Sequence, residues 1–252
     1  MKNLHDGKFP KFIYILWLQG WDVAPEIAQS CRASWVIKNP CWKVHSIDLQ
    51  NLNIFLPTDV VDQILSTPKE REALSDQIRL ELLRHHGGVW VDATAMCALP
   101  LDDWLDEAGP GGFFAFSKPA PDRMLSTWFL AGKKESYIIN KWRESAISYW
   151  SNRHSRDHYF WVHNLFAQNY QEDRIFKIHW DNVPKISAVH PFHFGPYSAD
   201  LISPPPADID RLLMNPPAPV FKLTHKFDIV PEEGSLFSYL CKFGHGKIEH
   251  LK

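Results

Sequence analysis

The chain of 252 residues carries almost no charge excess: 27 Lys and Arg against 29 Asp and Glu leave a formal net charge of −2. That balance gives no general drive toward nucleic acid or an anionic surface, so a small-molecule substrate is expected. Also missing is any apolar run near the ~20 residues that span a bilayer, and the opening MKNLHDGKFPK has no apolar signal-peptide core. The expected location is cytoplasmic, at most peripheral at the inner face of the cytoplasmic membrane. The four cysteines, Cys31, Cys41, Cys97 and Cys241, form neither a C-x-x-C pair nor a secreted disulfide framework, and are expected as buried thiols. No Gly/Ser-rich or charge-run linker divides the chain, so a single domain over 1–252 is expected. The first apolar run is followed by neither G-x-G-x-x-G nor a Walker sequence, which removes the dinucleotide and P-loop readings.

What is present centres on SDQIRLELLRHHGGVWVDATAMCAL, from Ser75 to Leu99. Ser75 reads as an N-cap and Asp76 as a first-turn anion favoured by the helix dipole. Ile78, Leu82 and Leu83 form an apolar stripe at helical spacing, and Gly87 and Gly88 stop the helix. Val89-Trp90-Val91 is a short β-prone run, which puts Asp92 at a strand's carboxyl end. Open α/β sheets bind ligands in the crevice outside such ends. Asp76 and Arg79, at i and i+3, share one helix face and can project together toward that crevice. Taken singly, the same residues also fit a capping Asp, an exposed Arg and a turn Asp.

The pattern S-D-x-x-R, a spacer, then G-G-V-W-V-D-x-T resembles the sugar-nucleotide site of the glycosyltransferase family 32 type, which includes capsular polysaccharide synthesis proteins. It is more distantly similar to the catalytic domain of clostridial glucosylating toxins. The resemblance implies an α/β, GT-A-like fold: a central mixed, mostly parallel sheet flanked by helices, with a helical and irregular C-terminal addition. It assigns residues 1–130 to nucleotide-sugar binding and 131–252 to acceptor-side helices and a closing segment. By the same resemblance Asp76 and Arg79 contact the donor sugar, and Asp92 binds the ribose and the metal-diphosphate. Thr94 stands where the second Asp of D-x-D is usual.

Phe12 to Leu18 is a continuous apolar and aromatic run, expected as a first strand buried on both faces. It resembles the family's opening strand, which implies that Trp17 stacks on the nucleotide base. Asp22 is expected to cap a helix that closes at Asn39-Pro40, with Trp42 to Ile47 as the second strand; Asp48 after it reads as a turn residue. Thr58 to Leu65 reads as a short helix, 68–72 as a polar bend and Pro100 to Trp104 as a helical turn. Phe113 to Phe116 and Trp128 to Ala131 read as two short strands, and Ser126-Thr127-Trp128-Phe129 lacks the Asn that the family often carries. Two helices follow, the second capped by Asp157, and Asp157 or His163 could also face an acceptor. His190 and His193 have metal-ligand spacing, but Pro191 and Gly195-Pro196 argue against the helix such a pair would need. The Pro-rich stretch 184–219 is expected as an ordered excursion over the active face. Pro219 to Lys226 reads as a strand, and Gly234 to Phe243 as a closing helix. In retaining transferases of the GT-A fold a C-terminal His completes the metal's coordination and a Lys holds the diphosphate; His225 and Lys226 match by type and position. Eleven Trp and 16 Phe suit a carbohydrate-handling surface and an aromatic core equally.

A nucleotide sugar carries its own leaving group, so the protein chiefly needs positioning and a cation clamp, with no acid for the departing oxygen. Mn²⁺ or Mg²⁺ is the usual clamp. The expected donor set is Asp92, Thr94 and His225, with Arg79 and Lys226 meeting charge on the sugar and diphosphate. The reaction that the resemblance implies moves a sugar from a UDP-sugar to a saccharide or lipid-linked acceptor, with retention by front-side transfer, since no residue stands out as a covalent nucleophile. Two other classes share these features: a sugar-nucleotide-binding protein without transfer, and a metal-dependent phosphoester hydrolase.

Overall fold

The computed structural model describes residues 8–66 and 70–248. Chain order begins β1 (Phe12–Leu16), α1 (Glu26–Lys38), β2 (Lys43–Ile47), α2 (Leu52–Phe55), α3 (Thr58–Leu65) and α4 (Arg71–His86). Then come β3 (Gly88–Asp92), β4 (Ala95–Cys97), α5 (Leu105–Ala108), β5 (Phe113–Ala120) and β6 (Arg123–Gly132). The second half holds α6 (Tyr137–Trp150), α7 (Trp161–Glu172), α8 (Arg174–Asp181), α9 (Ala199–Ile202), α10 (Ile209–Met214), β7 (Val220–Lys222) and α11 (Leu236–Gly244).

The main sheet has the order β2-β1-β3-β6-β5. β1 is parallel to both β2 and β3, and only β6 is reversed, pairing antiparallel with β3 and β5. This is the mixed, mostly parallel sheet of the expected α/β class. Val89, Trp90 and Val91 are fully buried because helices cover both faces of the central strands. The aromatic count goes largely into the core: Trp35, Trp90, Trp142, Trp161, Phe114, Phe116 and Phe129 are among its largest buried side chains.

Gly88 lies where the β1–β3 pairing begins. Its φ is +103°, and a Cβ there would lie 2.6 Å from the Phe12 carbonyl oxygen, so only glycine lets the strands meet. Just before it Gly87 closes α4, donating its N–H to the Leu83 carbonyl at 2.8 Å.

Several local readings change. α4 starts at Arg71, so Ser75 and Asp76 lie in its second turn; Glu70 occupies the N-cap position without a side-chain cap bond. Arg71 and Glu72 are therefore helical, and positions 68 and 69 of the expected polar bend lie outside the described residues. Asp22 falls in a 3-10 turn, Trp21–Val23, and Pro25 precedes α1. Phe160 takes the N-cap position of α7, while Asp157 accepts from Arg153 Nε at 3.1 Å in solvent. The paired strands β5 and β6 are longer than expected and pair through a bulge. β1 stops at Leu16, and Cys41 is exposed while the other three thiols are buried.

The Pro-rich stretch is tied down by backbone pairing. Ser117 bridges to Ser187, and His193 bridges to Lys222. β7 then pairs antiparallel with β4, with Ala95 opposite Lys222. The second small sheet thus brings the C-terminal part of the chain back to the residues just after Asp92.

Candidate active site

The carboxyl ends of the three parallel strands open on one edge of the sheet. Leu16 is in register with Asp92, so Trp17, directly after β1, stands beside the end of β3. Trp17 is half-buried and its backbone N–H donates to the Ile47 carbonyl at 2.9 Å. At the end of β2, Asp48 accepts from the backbone N–H groups of Gln50 and Asn51 at 2.9 and 3.1 Å, the turn role expected of it.

Trp90 and Asp92 point to the same face of β3 because strand side chains alternate. α4 covers that face and lays Arg79 across it. The Arg79 guanidinium reaches Asp76 at 3.1 Å and Asp92 at 3.5 Å, and its centre lies 5.1 Å from the Trp90 ring. Trp90 in turn donates its indole N–H to Asp92 Oδ1 at 3.1 Å. Arg79 also donates to the Thr127 carbonyl at 2.9 Å and to Ser75 Oγ at 3.0 Å. Asp76 and Arg79 are buried at 7% and 4% exposure, whereas the Asp92 side chain keeps 30%. Asp92 is the group of the three that a ligand can touch without rearrangement.

Burial pushes the Asp76 carboxyl up to about 6, against the pull of Arg79; nearby Asp92 adds to the rise, and the Trp161 indole opposes it. His163 on α7 is held neutral down to about 3 by burial and by Arg79 and Arg123. It senses this cluster electrostatically. Asp157 is exposed and paired with Arg153.

Thr94 is buried, and its hydroxyl oxygen accepts from the Lys222 ammonium at 2.6 Å. Lys222 also donates to the Leu223 carbonyl at 3.1 Å. This lysine was not singled out in the sequence, where it sits inside an apolar strand signal; only the β4–β7 ladder places it beside Thr94. His225 and Lys226 are exposed. His225 meets Trp17 edge-on at 5.2 Å, and burial together with Lys226 and Lys222 lowers its pKa. His193 Nδ1 is bound to the Ala188 carbonyl at 2.6 Å and packs edge-on against Trp128, so the 190/193 pair serves packing.

Two of the residues implied for a divalent cation, Thr94 and Asp92, are engaged by cationic groups of the chain itself. The Thr94 oxygen is taken by an ammonium, and Asp92 Oδ1 is engaged by Arg79 and Trp90. Among the described residues no group of three or more His, Cys, Asp or Glu side chains converges. Arg79 joins Asp76 to Asp92, Lys222 joins Thr94, and Trp17 joins His225; Lys226 forms no ion pair among the described residues.

Residues 2–240 match the family of capsular polysaccharide synthesis proteins. The chain belongs to that family. It is 23% identical over 165 residues to O-glycosyltransferase PaGT of Phomopsis amygdali, covering 58% of this chain and 40% of that protein. O-glycosyltransferase braB of Annulohypoxylon truncatum is 25% identical over 169 residues, 60% of this chain and 40% of the other. The chain thus spans 40% of the length of the curated relatives it matches. A solved PaToxG glycosyltransferase structure superposes with a TM-score of 0.46 at 17% identity, over 66% of this chain and 69% of that one. Among the described residues no helix is long and apolar enough to cross a membrane.

Proposed function

We propose that this protein is a glycosyltransferase that moves a sugar from a nucleoside-diphosphate sugar, a UDP-sugar in the first instance, to a saccharide or lipid-linked saccharide in surface polysaccharide synthesis. The observation that carries this reading is the Arg79 bridge between Asp76 and Asp92 at the carboxyl ends of β1 and β3. A buried guanidinium held by two carboxylates is fixed before any ligand arrives, and the half-exposed Asp92 beside it offers acceptor oxygens for ribose or sugar hydroxyls. Trp17, one residue past β1, supplies a half-buried ring on which a base can stack. Family membership and the glycosyltransferase relatives support the same class.

In the reaction the bond between the sugar's C1 and the diphosphate oxygen breaks with its electron pair staying on the diphosphate. The acceptor hydroxyl oxygen bonds to C1, and its proton passes to a diphosphate oxygen. No residue of this chain is required as a covalent nucleophile, in keeping with transfer on one face and retention. Arg79 orients the sugar and Asp76 orients Arg79.

The test is turnover of UDP- and GDP-sugars with oligosaccharide acceptors by the wild type and by Asp92→Ala. Acceptor-dependent release of nucleoside diphosphate, lost in a variant with an unchanged melting temperature, is the expected result. Release of nucleotide without acceptor would favour a hydrolase. Wild-type rates in Asp92→Ala would overturn the assignment.

A further inference from the structure

We infer that the Lys222 ammonium holds the donor's diphosphate in the position that a divalent cation would take, so that donor binding by this protein does not depend on metal. This rests on the nucleotide-sugar reading above and goes beyond it in naming the group that meets the phosphate charge.

Four observations carry it. First, Lys222 Nζ sits 2.6 Å from the hydroxyl of Thr94, the residue two past Asp92. A divalent ion bound to that same oxygen would lie within about 5 Å of the ammonium and be repelled by it. Second, both acceptors of Lys222 within the chain, Thr94 Oγ1 and the Leu223 carbonyl, are neutral. Among the described residues no carboxylate lies within 4.0 Å of Lys222 in an ion pair, although Arg79, the site's buried guanidinium, has two. Burial lowers the Lys222 pKa, and Asp92, beyond ion-pair distance, is the carboxylate that opposes this; a largely enclosed ammonium bonded only to neutral oxygens is one that an entering anion stabilises. Third, an ammonium has three N–H donors, and these two bonds leave one for a ligand oxygen. Fourth, the position is built: β7 pairs with β4 in a register that sets Lys222 opposite Ala95, and the Leu223 N–H donates to the Thr94 carbonyl at 2.8 Å. The Thr94 hydroxyl and the β4–β7 ladder together hold the lysine still.

The charges agree with this. Arg79 answers Asp76 and Asp92, and Lys226 adds a further positive charge near Lys222, so a diphosphate entering against Lys222 meets no net negative field. A second Asp at position 94 would instead pair with Lys222 and consume it.

Calorimetric titration of UDP and of GDP, each in Mn²⁺ and in EDTA, tests the inference on the wild type, Lys222→Met, Lys222→Arg and Thr94→Val. The expected result is an affinity unchanged within about twofold by EDTA, a loss of at least about tenfold in Lys222→Met and partial recovery in Lys222→Arg. If Lys222→Met fails a thermal-melt check, the wild-type metal comparison and Thr94→Val decide. Binding that needs Mn²⁺ and is unmoved by Lys222→Met overturns the inference while leaving the nucleotide-sugar reading intact. No binding of either nucleotide under any condition overturns both.

Discussion

Replacing Asp76 separates what this site costs the fold from what it does. The carboxyl is 7% exposed, and burial lifts its pKa from the ordinary 3.8 to about 6 despite the neighbouring guanidinium. A rise of that size corresponds to roughly 3 kcal/mol of differential stability between its two protonation states. The native state holds the proton more tightly than the unfolded chain does. Between about pH 4 and pH 6 it therefore binds more protons, and stability falls as pH rises through that window. Above it the full penalty applies; below it the penalty is gone. Asp76→Asn keeps the size of the side chain and an acceptor oxygen for Arg79, and it has no charge to desolvate.

Urea denaturation of both proteins across this pH range gives the comparison. The variant should match the wild type near pH 4 and exceed it by roughly 3 kcal/mol near pH 7.5, equivalent to roughly 6–12 °C in melting temperature for a chain of this size. His163, held neutral down to about 3, also makes stability depend on pH, but it is common to both proteins and cancels in the difference. Donor turnover in the variant should fall about 100-fold, because Arg79 loses the anion that orients it. A variant less stable than the wild type at neutral pH, or a difference flat across pH, would refute the reasoning about burial. Buried charge retained against stability is the pattern of a functional site.

Three other substitutions probe separate parts of the structure. Trp17→Ala should weaken UDP binding by about 1–3 kcal/mol with little change in melting temperature, since the ring is only half-buried; titration calorimetry reads the first and a thermal melt the second. Gly88→Ala drives a Cβ to 2.6 Å from the Phe12 carbonyl at φ +103°, and should lower the melting temperature by well over about 5 °C or abolish soluble expression. Arg143→Ala removes the 2.7 Å partner of Glu81, which is 3% exposed, and should cost about 3–5 kcal/mol in denaturation while leaving nucleotide affinity unchanged.

The parts of this fold that were legible in the sequence are those with a local cause. The glycine pair after α4 must break a helix, Val89-Trp90-Val91 cannot form another one between Gly and Asp, and Asp92 must then fall at a strand end. The i, i+3 spacing of Asp76 and Arg79 on that helix was enough to place them together. The start of α4 had no such cause. Ser75 carries the chemistry of a cap, yet the helix runs back to Arg71, where Ala73 is buried against the rest of the chain, and the Ser75 hydroxyl accepts from Arg79 instead of capping. Asp157 misled in the same way, since its carboxylate found Arg153 four residues earlier rather than the first turn of α7. Lys222 lay wholly beyond local reasoning: residues 94 and 222 meet only because β7 returns to pair with β4, 128 positions later in the chain. Read along the sequence, Thr94 is a missing carboxylate and weakens the site. Read across the ladder, it is the hydroxyl that fixes an ammonium, so the loss of one negative charge and the gain of one positive charge belong to a single arrangement, and the site keeps a cation for the diphosphate by building it into the chain.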